Sequence, residues 1–131
     1  MPARLRPLSA PRVASLLARL DQEQREGRSS SDEELRDLVK HFLAVLAQRQ
    51  PGKSVEVRIP PYAAIQCVEG ARHTRGTPPA VVETDAATWI ALARGTLSFA
   101  DAVSSARVWA SGERSDLTPV LPLLPKGPSQ P

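Results

Sequence analysis

The chain has 131 residues, 17 basic and 14 acidic side chains and a formal net charge of +3. That length implies one domain, large enough to bury about two-thirds of the surface of its unfolded chain. The mild charge, with no basic stripe, argues against a dedicated nucleic-acid binder, and the single cysteine excludes an intrachain disulfide framework or a cysteine-rich zinc site.

No apolar run approaches the length of a membrane span. The start, MPARLRPLSAPR, is basic but lacks the apolar core of a secretory signal. With one free thiol this suits a reducing, cytoplasmic setting. The 13 prolines cluster between elements and punctuate loops.

In chain order, residues 1–10 read as a loose arm. Pro11 suits the first turn of a helix. Val13, Leu16, Leu17 and Leu20 then give that helix one apolar face. Its continuation, DQEQREG, is polar all round and is expected to project or fray before Gly27. Ser31 opens S-D-E-E, a capping box with Glu34. The helix it starts should run to about Gln48 or Arg49. Leu35, Leu38, Val39, Phe42, Leu43, Val45 and Leu46 make it the main core helix. His41 falls elsewhere on the wheel and reads as a surface or boundary residue, because no second ligand stands at helical spacing.

Pro51-Gly52 ends the helix. Val55, Val57 and Ile59 alternate with Glu56 and Arg58 as a half-buried strand. Pro60-Pro61 makes a corner. A second strand follows from Tyr62 to Glu69, with Ala63, Ile65 and Cys67 on one face. Cys67 reads as a small buried core residue. The loop from Gly70 to Pro79 carries Arg72, His73 and Arg75. Its guanidinium and backbone N–H groups could hold a carboxylate or phosphate, or its charges could simply be solvated. Ala80 to Glu83 is a third strand.

Thr84 or Asp85 can cap the next helix, on which Ala86, Trp89, Ile90 and Ala93 share one face. Gly95 stands where a helix favours a left-handed residue. Ser98 caps a second short helix, with Phe99, Ala102, Val103 and Ala106 as its stripe. Arg107 to Ser111 reads as a strand, with Val108 and Ala110 on one face and Arg107 and Trp109 on the other. Asp116 or Thr118 can cap a last short turn near Pro119. Pro119, Pro122, Pro125, Pro128 and Pro131 recur every third residue, which on a polyproline II helix would align them. The alternative is a short closing helix bounded by prolines, followed by a disordered tail over 125–131.

The result is an α+β domain over 11–124. Two N-terminal helices precede a small, mainly antiparallel sheet of four to five strands, covered by short helices. No nucleophile elbow or phosphate loop is present. His41 and His73 stand far apart, in different kinds of element. The residues therefore call for no cofactor, no metal and no catalytic group. An enzyme would need His73 close to Cys67 or to a carboxylate.

Trp89, Leu92, Ala93 and Gly95 spell W-x-x-L-A-x-G, and Phe99, Asp101, Ala102 and Val103 spell F-x-D-A-V. A strand ending Ser111-Gly112-Glu113 follows, and then Asp116-Leu117. In that order these motifs resemble the C-terminal half of the sterol carrier protein type-two superfamily. The stretches KSVEVRIPPYAAIQC and RHTRGTPP are similar to a small actinobacterial branch of bacterial sterol carrier family proteins. The resemblance covers roughly Lys53 to Leu124. It implies a last helix closing over an apolar cavity that takes a lipid, sterol or fatty acyl group. The ligand expected is thus a small hydrophobic or amphipathic molecule. Trp89, Phe99, Val103, Val120 and Leu121 are the lining candidates, with Arg72, His73 and Arg75 at the mouth for an acidic head group. On the residues alone, Trp89, Phe99 and Trp109 read as core-filling side chains in preference to the lining of a cavity. The other reading is then a protein-interaction or accessory module without ligand, which a stable homodimer would favour.

Overall fold

The computed structural model describes residues 5–70, 79–112 and 114–124. Two helices come first, α1 (Ala10–Arg25) and α2 (Asp32–Arg49). Strands β1 (Val55–Ile59), β2 (Ala63–Cys67) and β3 (Ala80–Thr84) follow. Then come α3 (Ala86–Arg94), α4 (Phe99–Ser104), β4 (Val108–Ser111) and a 3₁₀ turn at Thr118–Val120.

Each helix starts on a side chain that accepts from an early backbone N–H, which satisfies one of the donors a helix leaves unpaired. Ser9, Ser31, Asp85 and Ser98 do this for α1 to α4. In the Ser31 box, Glu34 N–H donates to Ser31 Oγ at 3.1 Å and the hydroxyl donates back to Glu34 Oε1 at 3.2 Å. Gly95 ends α3 at φ 86°, where a side chain would be strained.

The sheet has the order β2-β1-β3-β4. β1 pairs antiparallel with β2 and parallel with β3, while β3 pairs antiparallel with β4. Two of its three pairings are thus antiparallel, around a parallel central pair. The β2–β3 connection must pass the start of β1, and Gly52 makes room for it. A Cβ there would collide with the Val68 carbonyl. The crossing is tied by Ser54 N–H and Oγ, which both donate to the Val68 carbonyl, and by Val68 N–H, which donates to the Gln50 carbonyl.

The core lies between the helices and one face of the sheet. Val55, Val57 and Ile59 of β1 are wholly buried, as are Leu38, Val39, Phe42, Leu43 and Leu46 of α2. Alternation along the strands sends Glu56, Arg58, Ala64, Gln66, Val81, Glu83 and Trp109 to the opposite face. After β4 the chain returns to the helices. Leu123 N–H donates to the Ala93 carbonyl at 2.8 Å, and Leu117 and Leu123 are each 1% exposed.

Four expectations need correction. The DQEQREG stretch does not fray: α1 runs through it to Arg25, because Asp21 pairs with Arg94 and buried Glu23 accepts from Ser30 Oγ. His41 is buried rather than a surface or boundary residue. Its Nδ1 accepts the Leu8 N–H at 2.9 Å, and in the segment read as a loose arm Leu5 and Leu8 pack half-buried against the core. The α4 stripe is shorter than its pattern, since the helix stops at Ser104 and Ala106 turns to φ 61°. Val103 is left 41% exposed. Arg107 lies just before β4 rather than in it, and the Thr84 hydroxyl holds its carbonyl at 2.7 Å.

Candidate functional site

The lining candidates fall in different surroundings. Trp89 is wholly buried in the middle of α3, and its indole N–H donates to the Val39 carbonyl at 3.3 Å. Phe99 is also buried, at the start of α4. Val120 and Leu121 are half-buried against the core. Arg72, His73 and Arg75 lie outside the described residues.

A depression with ligand-sized volume lies elsewhere. It is an open groove of about 500 Å³ between the C-terminal part of α1, the α1–α2 loop and the outer side of α3. Its apolar wall is Leu20, Leu35, Ala87, Ile90 and Ala91. Its polar rim is Gln24, Arg28, Ser29, Ser30 and Thr96, with Asp21 and Arg94. Helical spacing explains the α3 side, because Ala87, Ala91 and Arg94 step at i, i+4 and i+7 while Trp89 points to α2.

The groove is braced by a forked ion pair. Arg94 donates through both terminal nitrogens to the two Asp21 carboxylate oxygens, at 2.8 and 2.9 Å. The guanidinium hydrogen bond holds the Asp21 carboxyl below the usual carboxylate range and pushes Arg94 up. Such a planar fork fixes α1 against α3 by geometry as well as charge. Arg28, at the far rim, is held by Glu26 and stays largely exposed.

The groups with chemistry elsewhere are withdrawn from it. Burial pushes the Cys67 thiol up to about 11, so little thiolate exists at neutral pH. His41 is lowered by burial and has one ring nitrogen already engaged by Leu8. Among the described residues no group of three or more His, Cys, Asp or Glu side chains could hold a metal ion. No helix among them is long and apolar enough to cross a membrane.

The sequence model of the family described as "Bacterial SCP ortholog" matches residues 31–123. The chain belongs to this bacterial sterol carrier protein family. Comparison with curated proteins gave no match. The matched region opens at Ser31, the cap of α2, and closes at Leu123, which is anchored on α3. It therefore holds the sheet, the core helix and the closing segment, but not α1. Leu20, Asp21, Gln24, Arg28, Ser29 and Ser30 of the groove come from outside it. Sequence reasoning missed this site because it treated the end of α1 as projecting. The signal available was Leu20 followed directly by Asp21 on a helix that reaches a cationic partner at Arg94.

Proposed function

We propose that the protein binds a small amphipathic molecule, of the fatty acyl or sterol kind, and carries it unchanged in a cytoplasmic setting. Membership of a sterol carrier family supports binding of a lipid-like molecule. The observation that carries the reading to a place is the groove, about 500 Å³ with an apolar wall and a charged rim. That size lies within the range of small-ligand sites, which combine apolar lining with a few orienting polar groups. The apolar part of the ligand lies on Leu20, Leu35 and Ile90. Its polar end meets Arg28, Arg94 and the Ser29 and Thr96 hydroxyls at the rim.

The test is native mass spectrometry and calorimetric titration with a medium-chain fatty acid, a long-chain fatty acid, an acyl-CoA and a sterol. Wild type is expected to bind one of these at one per chain. Ala91→Trp, which fills the groove from a half-buried wall position, is expected to abolish that binding with the fold intact. Binding unaffected by Ala91→Trp would move the ligand to the segment around Phe99, Val103, Val120 and Leu121, with Arg72, His73 and Arg75 as its mouth. Binding of none of the four would sink the carrier reading.

A second reading, an accessory or interaction module, is favoured by a different observation. Trp89 fills the space between α3 and α2, and Leu117 and Leu123 of the closing segment are buried with it in the core, each at 1% exposure or less. A filled core needs no ligand for its stability.

A further inference from the structure

The face of the sheet turned away from the helices is organised in cross-strand rows. One row runs Ala64, Arg58, Glu83, Trp109 across β2, β1, β3 and β4. The next runs Gln66, Glu56, Val81, Ser111. Among the described residues no helix covers this face. Trp109 is 60% exposed on it, the most exposed large apolar side chain of the described residues. Arg58 leans along its own strand to Glu56, at 2.8 Å through Nε. Glu83 makes no ion pair or hydrogen bond through its carboxylate among the described residues.

We propose that this face pairs with the same face of a second copy of the chain, about a two-fold axis parallel to the strands and lying between β1 and β3. Such an axis lays each row on itself read backwards. Trp109 then meets Ala64, and Arg58 meets Glu83, each twice by symmetry. The largest side chain of the row faces the smallest, which is how facing sheets about 10 Å apart fill the space between them. The cation gains an acid that has no partner among the described residues of its own chain. In the second row Gln66 meets Ser111, two groups able to hydrogen bond. Glu56 meets Val81, the least favourable pair, and Glu56 keeps its own Arg58. Sheets packed face to face hold their strands within about 30° of each other, so the rows stay in reach across the patch.

Size sets the strength. Four strands about 4.8 Å apart, of about five residues at ~3.3 Å each, give a patch roughly 15–20 Å on a side. That is below the ~800 Å² per partner of a standard interface, so the dimer is weak, with a dissociation constant on the order of 10–100 μM. Trp109, at the end of the row, appears twice and carries most of the apolar contact. This pairing is independent of the groove, which lies on the helical side.

Sedimentation velocity over about 5–500 μM, with circular dichroism to confirm folding, tests the proposal. Wild type is expected to pass from monomer to dimer. Trp109→Ala should weaken association about tenfold or more. Arg58→Glu and Glu83→Arg should each remove the dimer, and the double charge swap R58E/E83R should restore it. Acrylamide quenching of Trp109 emission should fall as the dimer forms. A chain monomeric throughout the range overturns the proposal and leaves the face to a different kind of partner. A dimer indifferent to these variants also overturns it, because pairing through the β2 or β4 edge would not involve Arg58 or Glu83.

Discussion

Trp89→Ala is the substitution that most directly distinguishes a filled core from a ligand cavity. Trp89 is 0% exposed and lies between α3 and α2, with its indole N–H on the Val39 carbonyl. An aromatic of this size buries about 200 Å², worth roughly 5 kcal/mol at ~25 cal/mol per Å². A compact unfolded state and the retained Cβ reduce that sum, while the unfilled cavity adds to it. The expected loss is about 3–5 kcal/mol, a large share of the ~5–15 kcal/mol that holds a domain folded. Trp89→Phe keeps most of the ring and loses the N–H, so its loss should be about 1–2 kcal/mol. Urea unfolding followed by circular dichroism measures both, and the melting temperature of the alanine variant should fall by about 10–20 °C. An alanine variant within ~1 kcal/mol of wild type would refute the packing argument. It would mean that the indole borders empty space, as the wall of an unloaded lipid tunnel would.

Three more outcomes follow from the same geometry. Gly52→Ala should be severely destabilising, since its Cβ would collide with the Val68 carbonyl with φ at 148°; a urea midpoint equal to wild type would contradict the crossing described for the β2–β3 connection. Cys67 should resist a thiol reagent at pH 8 in the native state and react only on unfolding, because its thiol is pushed up to about 11; labelling at the rate of a free cysteine would show that β2 is open. Asp21 is held below its unfolded carboxyl range by Arg94, so its contribution is present above about pH 4 and is lost as pH falls through the lowered value. Arg94→Met should remove that acid-side dependence, an effect of ~1 kcal/mol or less for a pair this exposed, and a pH–stability curve unchanged by it would refute the brace.

Local chemistry made most of the fold legible. Ser31, Asp85 and Ser98 were readable as caps, and Gly95 as a stop, because each satisfies backbone groups within a few residues of itself. The strands were readable because alternation in β1, β3 and β4 carries a face assignment wherever one side is buried. Pairing order was not readable. Nothing in Ala80–Thr84 states that it lies parallel to β1, and the determinant, the passage of Val68 over Gly52, joins residues 16 apart. His41 was misread for a related reason. A lone helical histidine has no local signature of burial, and its partner is a backbone N–H at Leu8, 33 residues away.

The candidate binding surfaces were the least legible part, and the reason is physical. Trp89 and Trp109 are equally apolar in sequence, yet one is 0% exposed and the other 60%. Their fates are set by which side of the sheet the chain has reached, a consequence of topology. Among the described residues helices cover one face only, so the outward positions of β1 to β4 stay exposed or half-exposed whatever their residue. A sequence under no further constraint would place small polar residues there. Trp109 in a row with Ala64, Arg58 and Glu83 departs from that, in a pattern that acquires meaning only when the cross-strand register is known. The groove likewise depends on Asp21 and Arg94, 73 residues apart, meeting at 2.8 Å. Family membership accounts for the sheet and the closing segment, whereas α1 and the α1–α2 loop come from outside the matched region and together supply half of the groove's lining. On the proposed carrier reading, ligand selectivity follows α1 and the α1–α2 loop, and changes there should alter which amphipathic molecule binds, read by calorimetric titration, before they alter the fold of residues 31–123, read by circular dichroism.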